Sequence, residues 1–181
     1  TATGTKDATT FLRGDNTFNA PPLGGITEAD QWRLTTDFTG SSEPISSNLE
    51  RVDTYGFNYL GTGMTQSSGI FTFPSTGYYL ITFNTNFVNT SSSIRQFSSK
   101  IQTTTDNSNY NSATRAFSNQ YDFSSEEHSS VESKFIFDVT NTSTHKVRFA
   151  VSIDGGSSNI KTDGDTNENY TYMTFIRLGD T

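Results

Sequence analysis

The stretch Gly69–Phe87, GIFTFPSTGYYLITFNTNF, decides the fold. Gly-Ile-Phe-Thr-Phe opens it, Pro74 breaks it, Gly77 turns it, and a long alternating run follows. Tyr79, Ile81, Phe83 and Phe87 fall on one side of that run, and Tyr78, Leu80, Thr82 and Asn84 on the other. Period-two alternation of this length predicts a strand packed on a core through its first face. Pro74 has no N–H for a ladder and ends the first strand; Gly77 takes backbone angles that other residues resist.

Outward from this stretch, the same pattern recurs. Strands are predicted over 30–38, 44–52, 55–60, 69–73, 77–88, 94–104, 113–123, 132–139, 145–153 and 169–178. Phe137 and Phe149 lie on the apolar faces of the 132–139 and 145–153 runs, so they join Tyr79, Ile81 and Phe83 as expected core residues. The 181 residues include 15 Phe and 8 Tyr, with little Leu or Ala and much Ser and Thr. That balance favours strands over helices, and no helical stripe is present. Short strands joined by Ser, Asn and Gly loops predict an all-β antiparallel sandwich or jelly roll.

Charge narrows the partners. The formal net charge is −7, and Lys and Arg are not clustered. Nucleic acid and anionic membrane surfaces are disfavoured, because both demand basic patches. The longest apolar run, Tyr78 to Ile81, cannot span a bilayer. There are no cysteines, which excludes disulfides and thiolate chemistry and fits assembly in a reducing cytoplasm. The chain begins at Thr1 and reads as a processed chain or the C-terminal piece of a longer polypeptide.

Residues 1–25 differ from 26–181. They lack periodicity, and Pro21-Pro22 followed by Gly24-Gly25 reads as a stiff step and a hinge. The division expected is an extended N-terminal segment, 1–25, and a knob domain, 26–181.

Two resemblances attach to these residues. Phe71, then Gly77, then Tyr79, Ile81 and Phe83 at alternate positions resembles the signature strand pair of the complement C-one-q globular head. Met64 stands where that pattern usually has an aromatic or Leu, and Ile81 replaces its usual Phe. The head shares a ten-stranded jelly roll with the tumour necrosis factor superfamily, and its members are compact trimers. The resemblance therefore implies a homotrimeric ten-stranded jelly roll, with Tyr78, Leu80 and Thr82 facing the threefold axis.

The second resemblance lies in Thr10-Phe11-Leu12-Arg13-Gly14-Asp15, then Thr17-Phe18 and Ala20-Pro21. This order is similar to a short element of tailed-bacteriophage fibre and appendage proteins, usually TFLRGDGTW followed by Ala and Pro. Asn16 replaces its second Gly and Phe18 its Trp. Asn suits that place if the chain turns left-handed there. The likeness implies a virion protein, assembled in the bacterial host cytoplasm, that contacts other virion proteins through Phe11, Leu12, Arg13 and Phe18. The same flanks account for Arg13-Gly14-Asp15 better than integrin recognition does.

Chemical motifs are sparse. Asp163, Asp165 and Asn167 alternate oxygen ligands as hard-cation loops do, which makes calcium the one cofactor to consider; a hydrophilic hairpin loop is the plainer reading. His128 and His145 read as separate surface histidines without metal-ligand spacing. Glu126 and Glu127 are adjacent, so a strand would point them to opposite faces. No Gly-x-Ser-x-Gly elbow occurs, and no enzyme is expected. The sequons at Asn89, Asn141 and Asn169 would stay bare in a bacterial host. Tyr110, Tyr121 and the polar loops near Ser91 and Asp106 offer the stacking and neutral hydrogen bonding that sugars need. The expected function is a virion appendage knob that attaches to host surface glycans. Alternatives are a head decoration or fibre connector without a receptor, a secreted cytokine-like or lectin-like ligand, and a polysaccharide-degrading enzyme.

Overall fold

The computed structural model describes residues 1–7, 9–20, 25–89, 94–120, 125–154 and 159–181. Fourteen strands and no helix appear among them: β1 Phe11–Leu12, β2 Phe18–Asn19, β3 Ala29–Leu34, β4 Thr36–Thr39, β5 Leu49–Arg51, β6 Thr65–Ser67, β7 Ile70–Thr72, β8 Gly77–Asn89, β9 Ile94–Thr104, β10 Asn111–Gln120, β11 Glu127–Val139, β12 Lys146–Ile153, β13 Ile160–Asp165 and β14 Tyr172–Gly179. β1 and β2 pair only with each other, and the rest form a sandwich of a five-stranded and a seven-stranded sheet.

The five-stranded sheet runs β10-β9-β12-β7-β6. In the other sheet β8 is the axis. Its whole length pairs antiparallel with β11, while its opposite edge is shared between β14 and β13. Beyond β14 lie β3 and β5, and beyond β13 lies β4. Every strand-to-strand ladder is antiparallel. The ten-stranded jelly roll is thus present, widened by short edge strands such as β4 and β6. At three or four residues these are too short to show alternation.

Alternation along β8 explains the layering. Tyr79, Ile81, Phe83 and Phe87 are buried between the sheets, together with Phe137 and Phe149. Phe71 is the hub: its ring lies 5.2 Å from Phe175, 5.4 Å from Phe149 and 5.5 Å from Trp32. Phe87 and Phe97 close the far end at 4.4 Å. Tyr79 keeps its hydroxyl satisfied by donating to the Ser75 carbonyl, 3.1 Å away. Gly69 sits at φ +78 in the two-residue turn between β6 and β7, where a Cβ would lie 2.0 Å from the Ile45 carbonyl oxygen.

Several expected elements differ. Residues 55–60 form no strand, although Tyr55, Phe57 and Tyr59 alternate; only Leu60 finds a bridge partner, Ala29. β11 starts at Glu127, five residues before the predicted Glu132. β13 occupies part of a stretch read as loop, and Asp163 and Asp165 belong to that strand. His145 is buried and stacks on Phe137 with ring centroids 5.5 Å apart, so the surface reading of this histidine is corrected. Pro21, Pro22 and Gly24 of the hinge, Ser91 and Tyr121 lie outside the described residues.

Candidate functional site

The outward face of the seven-stranded sheet carries a regular array of side chains. Residues paired across a ladder point the same way, so register alone defines its rows. Ala29, Ile176, Leu80 and Ile136 form one row across β3, β14, β8 and β11. The next is Gln31, Thr174, Thr82 and Lys134, and then Arg33, Tyr172, Asn84 and Glu132. Tyr78 flanks the first row on its other side, opposite Asp138. Ile136 is 56% exposed and Tyr78 41%, while Leu80, Thr82 and Ile176 are half-buried. An apolar row across four strands is more than a scatter of single surface residues.

Polarity rises along β8. Gln31 Nε2 donates to Thr174 Oγ1 at 2.9 Å, and Lys134 Nζ reaches Glu132 at 2.7 Å. At the polar end Asn86 Nδ2 donates to Asp163 Oδ2 at 3.1 Å and lies 3.4 Å from His128 Nδ1. His128 in turn meets Glu126 at 3.3 Å. The Asp163 carboxyl is pushed above its ordinary value, first by burial and then by the Asp37 carboxyl beside it.

Of the three alternating oxygen ligands Asp163, Asp165 and Asn167, the first already accepts the Asn86 amide through Oδ2. Asp165 Oδ1 accepts the backbone N–H groups of Asn167 and Glu168, which holds the turn and lowers its pKa. The Asn167 carbonyl accepts the Thr54 hydroxyl at 3.0 Å. Among the described residues no three His, Asp or Glu side chains are grouped as a metal site.

No family model and no curated protein matches the sequence. Solved structures do match by shape. Murine APRIL at pH 8.5 superposes with TM-score 0.55 at 10% identity, covering 83% of this chain and 98% of that one. The Eiger TNF of S. frugiperda gives TM-score 0.62 at 13% identity, covering 84% and 93%. The fold is a TNF-like jelly roll.

In this jelly roll β8, which equals β11 in length at 13 residues, presents Tyr78, Leu80 and Thr82 on the outward face of the seven-stranded sheet. The N-terminal residues make a separate small structure. β1 and β2 pair in register Phe11 to Asn19 and Leu12 to Phe18, around Asn16 at φ +67. Thr3 adds a parallel bridge to Thr17. Asp15 accepts the Thr17 N–H and hydroxyl, which lowers its pKa, and Arg13 stands 3.8 Å from it. Phe11 and Leu12 are exposed and Phe18 is partly covered.

Buried charge was missed from sequence. Arg33 is fully buried and donates to Glu50 at 2.7 Å, Asp53 at 2.8 Å and Thr54 at 2.9 Å. On the other sheet Lys100 meets Glu43 at 2.7 Å, and Gln102 also donates to Glu43, at 2.6 Å. The Glu43 carboxyl is lowered chiefly by the Lys100 hydrogen bond. Both cations occupy outward positions on their strands, and loops bury them. A strand pattern does not reveal such a cover.

Proposed function

We propose that this chain is a virion appendage protein of a tailed phage, whose jelly-roll knob assembles as a homotrimer and attaches to bacterial surface glycans. The observation that carries the reading is the outward row Ala29–Ile176–Leu80–Ile136 with Tyr78 beside it. Such a row suits burial against two further copies, and TNF-like neighbours support self-association. The N-terminal TFLRGDNTF strip supplies the virion context. Its exposed Phe11 and Leu12, with Arg13 and Phe18, would contact other virion proteins.

Three copies carry three times −7, or −21 charges. Apolar burial must outweigh that repulsion, so association should strengthen with salt. Sedimentation of the purified chain tests the assembly: a trimer at micromolar concentration is expected, and a stable monomer refutes it. Adsorption of labelled knob to host cells, competing with infection, tests attachment. A trimer that never adsorbs would instead be a head decoration or fibre connector.

The second reading is a secreted cytokine-like ligand, favoured by the likeness to APRIL and Eiger TNF. A secretion signal in the parent polypeptide, with binding to animal rather than bacterial cells, would select it.

A further inference from the structure

Tyr55 is the least expected residue on the surface. It is 84% exposed and holds φ +53. The left-handed region is costly for a bulky side chain and is normally left to Gly or Asn. Of the other non-glycine residues at positive φ, Asn16, Asn48 and Asn107 are Asn and Ser68 is small. Gly56 follows at φ +84, so a less strained residue type was available one position away. Backbone strain combined with an exposed aromatic ring indicates a use for that ring.

Tyr55 forms one wall of a cleft of about 400 Å³, completed by Val52, Thr54, Asn167, Glu168 and Asn169. That volume lies within the range of small-ligand sites, about 300–1,000 Å³. The walls are pre-set. Buried Arg33 grips Asp53 and Thr54, and the Thr54 hydroxyl ties its segment to the Asn167 carbonyl. The 167–169 side is fixed by the Asp165 turn and by Thr166, whose hydroxyl donates to Glu50 at 2.9 Å. Asn169 donates Nδ2 to Gln31 at 2.8 Å, and its Oδ1 has no partner among the described residues.

We propose that this cleft binds one neutral sugar unit of a polysaccharide, with Tyr55 as the stacking platform. The proposal rests on the glycan-attachment reading and gives it a place. A pyranose has an apolar C–H face for the phenol ring and a rim of hydroxyls for amide and carboxylate groups. Glu168 in the wall and Asp165 in the adjoining turn leave the surroundings negative, while Asp53 is paired with Arg33. That charge repels uronate or phosphate-bearing sugars and selects a neutral unit. The site differs from the loops near Ser91, Asp106 and Tyr110, whose composition also suits sugar.

The test uses the full chain and three immobilised probes: neutral hexose, N-acetylhexosamine and uronate oligosaccharides. Adhesion to bacterial cells is measured in parallel. Tyr55→Gly is the informative variant, because it removes the ring and relieves the backbone. Expected are wild-type binding to a neutral probe, little binding to uronate, and a loss of about tenfold or more in Tyr55→Gly, the equivalent of about 1.4 kcal/mol. The variant should melt at or above the wild-type temperature. Tyr55→Phe should retain most binding. If wild type adheres to cells while Tyr55→Gly adheres equally well, or if uronate binds tightest, the cleft assignment falls and attachment stands. If wild type neither binds the probes nor adheres to any bacterial cells, both fall.

Discussion

Replacing Leu80 with Glu separates the assembly face from the core. Leu80 shares β8 with Tyr79 and Ile81, yet it points away from the interior and is half-buried in one protomer. The substitution therefore costs the isolated fold about 1 kcal/mol, in line with partly exposed positions. In the proposed trimer the same change acts three times. Completing the burial of a half-covered Leu is worth about 1 kcal/mol, since full burial is worth about 1.5–3 kcal/mol. Three copies lose about 3 kcal/mol. Three carboxylates drawn into an interface add a desolvation and repulsion cost of at least a similar size.

About 6 kcal/mol per trimer corresponds to roughly 10⁴ in the association constant. A trimer constant scales with the square of concentration, so the midpoint of assembly moves by roughly a hundredfold. Sedimentation velocity over a concentration series reads that midpoint, and a thermal melt of the same samples checks that the protomer is folded. Added salt should recover part of the loss, because the copies are mutually repulsive. A folded Leu80→Glu protein that assembles as tightly as wild type would refute the placement of the interface on this face.

Three further outcomes follow from the interior and its rim. Phe71→Ala should destabilise by about 3–5 kcal/mol in denaturant titration, because one ring is shared by Trp32, Phe149 and Phe175. Arg33→Ala should cost about 2–4 kcal/mol, from lost packing and charge-assisted hydrogen bonds. Glu50 and Asp53 can still reach water, so the cost stays below that of opening a sealed pair. Arg33→Lys should not rescue it, since one ammonium cannot hold three partners in the guanidinium's geometry. Asp163→Asn should raise the melting temperature at neutral pH. The folded Asp163 carboxyl titrates above its ordinary 3.8, so its stabilising contribution is present below that value and is lost as pH rises through the folded pKa. The advantage of Asn should therefore vanish on acidification below 3.8; a gain that persists there would argue against burial beside Asp37 as the cause.

What was legible in the sequence depends on where each residue finds its partner. β8 and β12 were plain because large apolar side chains alternate along them, and one core receives them all. The first half of β11 was not, because Glu127 and Ser129 stand at its inward positions, and a polar residue can be covered there as Ser133 is further along. Ser133 is buried by bonding to Ser99 Oγ at 2.7 Å, which looks like solvent exposure when only one chain segment is read. β13 was hidden by Asp163, Gly164 and Asp165; its backbone pairs with β8 and β4, although only Ile160 and Thr162 are fully covered. Residues 55–60 misled in the opposite direction. Tyr55, Phe57 and Tyr59 alternate, but Tyr55 turns left-handed and Tyr59 serves as the face for the Arg51 cation, 4.4 Å away.

The same distinction separates the two candidate surfaces. The Tyr78, Leu80 and Thr82 face follows from local alternation, while its extension to Ile136 and Ile176 needs a register that no single strand contains. The cleft at Tyr55 is wholly non-local: Thr54 and the Asn167 carbonyl that clamps it are 113 residues apart. Surfaces built along one strand are written in its period, whereas surfaces built between loops are written in the topology. A strained aromatic is the one local trace such a site leaves, and it becomes readable only with its backbone angle. By sequence Tyr55 is one more alternating aromatic; its left-handed backbone is what sets its ring at the rim cleft and not on the face of the sheet.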